Sequence, residues 1–141
     1  MKAMMAIVFL SFVLVCCSGK PEYFEKVETW DKAGVDPYRA GIWVKSGFKP
    51  KKAKEWMDAG MVPHEAKKWI KIGFKPGEAR VWKNAGFKRN IRYAKRWKKS
   101  GLNAKEAHEW MKAGVSPEDV ENWKELGKTP KEAKAWMINM K

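Results

Sequence analysis

Basic side chains are the residues of this sequence whose type and spacing point most clearly to chemistry. Seven of the twelve positions from residue 88 to residue 99 are basic: Lys88, Arg89, Arg92, Lys95, Arg96, Lys98 and Lys99. Such a run can hold anions through its charge and through the N–H donors of lysine and arginine. A solvated helix face with a harmless insertion is the plainer interpretation, and the sequence leaves both open.

The excess of positive charge is confined to the middle of the chain. Residues 45–101 hold 18 lysines and arginines against four acidic residues, which gives a net charge of +14. Residues 18–44 are at −1, and residues 102–141 are neutral with seven charges of each sign. The segment 45–101 is therefore the predicted surface for an anionic partner: lipid headgroups, a phosphorylated polymer, an acidic protein or nucleic acid.

Residues for catalysis or metal binding do not form a recognisable set. His64 and His108 are the only histidines, and they lie far apart in the sequence. No paired carboxylates at ligand spacing accompany either of them. No nucleophile comes with a recognisable base, and no glycine-rich loop could cradle a phosphate. We therefore expect a protein that is not an enzyme, with no cofactor and no metal site.

An apolar run begins the chain and predicts export. It extends from Ala3 to Cys17, follows the charge of Lys2 and is interrupted only by Ser11. Its length suits the core of a signal peptide and is short for a helix that crosses a membrane. A buried N-terminal helix is the alternative, but no polar residues alternate in the run to give such a helix a soluble face.

The end of this run resembles the lipobox of bacterial lipoproteins, in the residues Leu14-Val15-Cys16-Cys17. The resemblance implies a signal peptide over residues 1–16, lipid attachment to Cys17, a tether over residues 17–21 and a place in the cell envelope, at the outer membrane in a Gram-negative cell. Cys16 stands where a lipobox usually has glycine, alanine or serine. Ordinary cleavage near Ser18 or Gly19, which would give a secreted protein, is therefore the alternative.

Nine tryptophans repeat at a nearly constant spacing in the rest of the chain. The interval is thirteen residues throughout, except for fifteen between the fifth and the sixth: Trp30, Trp43, Trp56, Trp69, Trp82, Trp97, Trp110, Trp123 and Trp136. A glycine follows each of the first eight by four residues, and an alanine precedes most of them by three. A fixed period of this kind indicates tandem structural repeats, here over residues 22–141.

One period shows how each repeat should fold. Gly60 suits the left-handed turn that ends a helix, and Pro63 suits the first position of the next. Ala66, Trp69 and Ile70 then form one apolar stripe on a helix of about ten residues. The sequence thus predicts an all-α fold of nine short helices in a compact α-solenoid-like spiral, with the tryptophans as a core ladder.

Two details of the repeat carry further predictions. Thr129 and Glu132 form a capping-box pair around Pro130, and Ser116 is expected to cap a helix that begins at Pro117. The apolar residue after each glycine, such as Phe74, is expected to pack on the helix just ended and on the next one. Units of the form W-x-x-A-G-F-x-P-x-E-A resemble short helical repeats of uncharacterised bacterial proteins, a resemblance that implies no activity.

The repeat also aligns a second set of cations. One basic residue lies two positions before each of four successive tryptophans, at Lys54, Lys67, Arg80 and Lys95. If the helices stack in register, this row forms a basic stripe that could follow a polyanion. The function expected from the sequence is a binding or scaffold module of the envelope that uses the basic surface of residues 45–101. A nucleic-acid-binding protein and a secreted cationic effector acting on membranes are the alternatives.

Overall fold

The computed structural model describes residues 29–140, and these form short helices with no strand among them. The eight α-helices are α1 (Pro37–Lys45), α2 (Pro50–Asp58), α3 (Pro63–Lys71), α4 (Pro76–Trp82), α5 (Ile91–Lys99), α6 (Ala104–Ala113), α7 (Val120–Glu125) and α8 (Pro130–Asn139). A π-helical segment, π1 (Lys83–Phe87), follows α4, and residues 29–32 are also helical. Each tryptophan lies in its own helical segment, which confirms the predicted all-α fold. The signal peptide, Cys17 and the tether lie outside the described residues.

The described residues divide into two compact units, one that ends at Lys54 and one that begins at Glu55, so that the boundary falls within α2. In the second unit, α6 contacts α5, which precedes it directly, and also α4 and π1, which lie one repeat further back. The same relation recurs between α6 and α8. The helix α6 therefore packs on the helix before it and on its next neighbours in both directions. A spiral that continues through all nine repeats stays a prediction.

The turns that end the helices follow one design. At Gly73, the backbone has φ +86°, a left-handed conformation that glycine adopts without strain. The Gly73 N–H donates to Ile70 O at 2.9 Å, and the Phe74 N–H donates to the carbonyl oxygen of Trp69 at 3.1 Å. This pair of bonds is the Schellman motif, which satisfies carbonyls at the end of a helix. All eight predicted glycines have a positive φ, so the predicted helix stops are confirmed.

The helix starts confirm the predicted capping box and overturn one predicted helix boundary. Thr129 and Glu132 make the reciprocal capping box at the start of α8, where the side chain of each accepts from the backbone N–H of the other. The predicted helix start at Pro117 is wrong, because α7 begins only at Val120. Ser116 Oγ does accept from the Asp119 N–H at 3.2 Å, as a cap would, and it donates to Asp119 Oδ2 at 2.6 Å, but these bonds stabilise a turn over residues 117–119 that precedes the helix.

The core is built from the tryptophans and the alanines three positions before them. The first seven tryptophans are at most 6% exposed, as are all seven alanines at that position: Ala40, Ala53, Ala66, Ala79, Ala94, Ala107 and Ala133. The prediction that all the tryptophans belong to the core is wrong for the last two, since Trp123 is half-buried and Trp136 is 50% exposed. The prediction that Ile70 belongs to the buried stripe is also wrong, since Ile70 is 47% exposed. It lies about 100° around α3 from Trp69, too far to share its buried face.

Phe74, which follows Gly73, links successive repeats as expected. The ring centroid of Phe74 lies 5.1 Å from that of Trp69 behind it and 5.9 Å from that of Trp82 ahead of it. The rings of Trp82 and Phe87 repeat the first contact at 5.0 Å across π1. The longer interval between Trp82 and Trp97 therefore leaves the aromatic contact of its own turn unchanged.

A candidate anion-binding cleft

The fifteen-residue interval changes how a helix begins. In the preceding repeat a single lysine separates Phe74 from the start of α4, whereas three residues separate Phe87 from the start of α5. The proline that begins α1 to α4 is missing here, as it is at the start of α6. Asn90 takes over the start of α5, and its Oδ1 accepts from the Tyr93 backbone N–H at 3.1 Å. The two additional residues therefore widen the turn on the surface of the protein.

This widened turn forms one side of a cleft of about 490 Å³. The cleft is lined by the end of α3, by the residues between π1 and α5, and by the start of α5: Lys68, Lys71, Ile72, Lys88, Arg89, Asn90, Ile91 and Arg92. Five of these eight side chains carry a positive charge and none is acidic. All five cations are exposed, so water solvates them while the cleft is open. Folding thus concentrates positive charge around a concave surface.

Most of these cations have no partner within the part of the chain that the structure describes. No ion pair or side-chain hydrogen bond to a described residue is made by four of them, Lys68, Lys71, Arg89 and Arg92. The charge of Lys88 acts on Glu65, but that carboxylate is bound to Lys83, with Nζ and Oε2 2.8 Å apart. The N–H donors of the cleft are consequently available to a ligand.

Nearby carboxylates are already held by other cations. Burial opposes ionisation of Glu65, but the hydrogen bond and charge of Lys83, with the charge of Lys88, outweigh it and lower the pKa of Glu65. The hydrogen bond from Arg96 lowers the pKa of Glu118 in the same direction. Both carboxylates are therefore ionised at neutral pH, and neither lines the cleft.

The structure separates the seven basic residues of the predicted run into three groups. Lys88, Arg89 and Arg92 line the cleft. Arg96 binds Glu118 through two bonds, with Nε to Oε1 at 2.8 Å and Nη2 to Oε2 at 2.6 Å. The ammonium of Lys98 pairs with Glu78 and lies 4.8 Å from the ring centroid of Phe74. Lys95 and Lys99 are exposed but lie outside the cleft.

None of the four residues of the predicted stripe lines the cleft. Lys67, Arg80 and Lys95 are exposed, whereas Lys54 is half-buried and its Cε would lie 3.3 Å from a Cβ at Gly34. The equivalent position of α6 is His108, whose ring packs against Gly86 in the same way. The residue two positions before the tryptophan therefore packs on an earlier glycine turn in two repeats. The continuous basic stripe stays a prediction.

Sequence reasoning missed Lys68 and Lys71 as candidates for the site. Both belong to α3 and lie beside Trp69, outside the dense run that begins at Lys88. Their signal was present in the sequence as two basic residues in the last turn of a helix, where they also complement the negative end of its dipole. Only the packing of α3 near the start of α5 shows that they face the same cleft.

No protein-family model, curated protein or solved structure matches this chain. Its own residues must therefore carry any argument about function. Among residues 29–140, no group of three histidine, cysteine, aspartate or glutamate side chains could hold a metal ion. Within the same range, no helix is both long and apolar enough to span a bilayer.

Proposed function

We propose that this protein is a non-enzymatic binding module of the bacterial cell envelope, which is held at the membrane by lipid on Cys17 and binds a phosphorylated polymer through its basic cleft. One observation carries the proposal. Five cationic side chains surround a cleft that contains no acidic residue. A surface that leaves so many positive charges uncompensated destabilises itself by repulsion, and a polyanion would relieve that repulsion.

The chemistry of the cleft suits phosphate groups. The guanidinium groups of Arg89 and Arg92 present planar pairs of N–H donors that match two phosphate oxygens. The lysines add compact charges that a phosphate can approach from several directions. Because the cleft is concave, it suits a chain or a branch that can enter it better than the flat surface of a bilayer.

The anchor at Cys17 rests on the lipobox-like residues, and Cys17 lies outside the described residues. Intact mass and membrane fractionation of the protein expressed in a bacterial host test it. A wild-type chain that starts at Cys17 with the added mass of lipid, together with a Cys17→Ala variant that is released or unprocessed, would support the anchor. A soluble chain without lipid that begins after Cys17 would contradict it and favour a secreted protein.

Binding of long-chain inorganic polyphosphate to the purified mature chain tests the cleft. We define a cleft variant, Lys71→Gln/Arg89→Gln/Arg92→Gln, and a matched control variant, Lys67→Gln/Lys95→Gln/Lys99→Gln, which removes three exposed charges from α3 and α5 outside the cleft. The affinity of the wild-type chain should fall steeply with salt. The cleft variant should bind more weakly than the control variant. The slope of log affinity against log salt concentration should become less negative by about three, one for each positive charge removed.

Several results would contradict this proposal. Affinity that does not change with salt, or that survives in the cleft variant, would show that the cleft does not hold the polymer. Equal or tighter binding of polyglutamate would identify an acidic protein as the better partner. Preference for duplex DNA over polyphosphate at the same salt concentration would favour the nucleic-acid alternative instead.

A further inference from the structure

We infer that the cleft is a discrete site for a compact group that carries two phosphates, rather than one part of a diffuse basic surface. This inference rests on the proposed function and names the chemical unit of the polymer that is recognised. It depends on three features of the cleft: cations on separate elements, a free amide donor beside them, and a size suited to a small ligand.

The first feature is the distribution of the cations around the space. Lys68 and Lys71 belong to α3, Arg92 belongs to α5, and Lys88 with Arg89 belongs to the segment that precedes α5. A ligand in the cleft therefore meets positive charge from three segments of the chain. A single monovalent anion could neutralise only one of five charges, whereas two adjacent phosphate groups bring several negative charges into the same space.

The second feature is the amide of Asn90. Its Oδ1 is occupied by the Tyr93 N–H at the start of α5. Its NH₂ group has no hydrogen-bond partner among residues 29–140, and Asn90 lines the cleft. Capping by Oδ1 fixes the orientation of the amide, so that a neutral donor is held on a residue that lines the cleft with the cations. Phosphate oxygens, and the hydroxyl groups of a sugar that carries them, can accept from such a donor.

The third feature is size. A volume of about 490 Å³ falls within the range of about 300–1,000 Å³ that small-ligand sites occupy. An extended polyanion that bound only by charge would not need a concavity, because it could lie along any basic face. A bisphosphorylated sugar, or a pyrophosphate at the end or branch point of a polymer, would use both the depth of the cleft and its charge.

Isothermal titration of the mature chain with inorganic pyrophosphate at constant ionic strength tests the inference. Orthophosphate and citrate serve as comparators, because the first has a single phosphate and the second has carboxylates in place of phosphate. The wild-type chain should bind pyrophosphate at least about tenfold more tightly than either comparator. The cleft variant should lose at least about tenfold in affinity, which corresponds to about 1.4 kcal/mol, whereas the control variant should stay within about twofold of the wild type.

Competition shows whether the recognised group belongs to the polymer. Pyrophosphate should displace long-chain polyphosphate from the wild-type chain if both use the cleft. If polyphosphate binds with steep salt dependence but pyrophosphate neither binds nor competes, the discrete site is overturned and the proposed function stands. If neither ligand binds, both proposals fail. Equal weakening of pyrophosphate binding by the cleft and control variants would also overturn the discrete site. Equal melting curves of both variants and the wild type exclude misfolding as the cause.

Discussion

Replacement of Gly86 by alanine tests the turn that leads into the cleft and its packing on α6. Gly86 has φ +100°, and a Cβ at this position would lie 3.2 Å from both Cε1 and Nδ1 of His108. Gly73 provides a matched control, because it has φ +86° and no atom lies within 4 Å of the position that its Cβ would take. Gly73→Ala therefore measures backbone strain alone, and Gly86→Ala adds the contact with the ring.

Gly86→Ala should lower the free energy of unfolding about twice as much as Gly73→Ala. A left-handed backbone costs a residue with a Cβ about 1–2 kcal/mol, and the smaller entropy of the unfolded alanine chain offsets about 0.4–1 kcal/mol of this. We therefore expect Gly73→Ala to lower the free energy of unfolding by about 1 kcal/mol. At Gly86, the ring of His108 must also move by a few tenths of an ångström. Overpacking of this kind costs about 1–3 kcal/mol, and the low end applies because the ring is only half-buried, so the total is about 2 kcal/mol.

Urea denaturation followed by tryptophan fluorescence measures these costs, and His108→Ala with the double variant completes a double-mutant cycle. The cycle should give a coupling of about 1 kcal/mol between Gly86 and His108, since the shortened side chain leaves room for the Cβ. If Gly86→Ala costs no more than Gly73→Ala and the coupling is zero, the packing of His108 on this turn is refuted. If both substitutions leave stability unchanged, the left-handed turns themselves are refuted.

Two further predictions concern the contacts between repeats. Lys83 donates to Gly60 O and to Glu65 Oε2, each at 2.8 Å, so Lys83→Met should cost about 1–3 kcal/mol and Lys67→Met little, as measured by urea denaturation. Because the folded state lowers the pKa of Glu65, its contribution to stability is present at neutral pH and is lost as acidification protonates the folded carboxyl. The Lys83→Met variant should thus lose less stability on acidification than the wild type, and an equal loss would contradict this account. Trp97→Ala should cost about 3–5 kcal/mol because Trp97 is 0% exposed, whereas Trp136→Ala should cost clearly less because half of its surface is in water. Similar losses in thermal or urea unfolding would show that the buried ladder does not hold the fold together.

The helices and turns of the repeat were predictable because each is specified by residues close together in the sequence. A glycine four residues after Trp69 and a proline three residues after that glycine specify a helix end and a helix start within one period, and the structure has both. The same reasoning failed at Pro117, where residues 117–119 form a turn and the helix begins only at Val120, although Ser116 makes the same side-chain bonds to Asp119 that Thr129 makes to Glu132. A proline in the first position permits a helix there but does not require one.

The cleft was predictable only in part, since it depends on contacts between repeats. The dense run marked Lys88, Arg89 and Arg92, which do line the cleft, but it equally marked Arg96 and Lys98, which bind Glu118 and Glu78. Sequence composition cannot distinguish a cation that a neighbouring repeat neutralises from one that is left free. That distinction requires the packing of helices one and two repeats apart, which the period alone does not give.

The geometry of the longer interval explains how this protein can vary its surface without disturbing its core. The contact between Trp82 and Phe87, at 5.0 Å, matches that between Trp69 and Phe74, at 5.1 Å, although the first of these turns leads into the longer interval. The extra residues lie after Phe87, where the chain has already completed its buried contacts and is exposed. A repeat fold of this kind separates the two tasks along each period: tryptophan, alanine and glycine fix the packing, and the residues between one glycine turn and the next helix are free to change. The most basic of these segments is the one that has been lengthened, and it faces two lysines of α3 that complete the cleft.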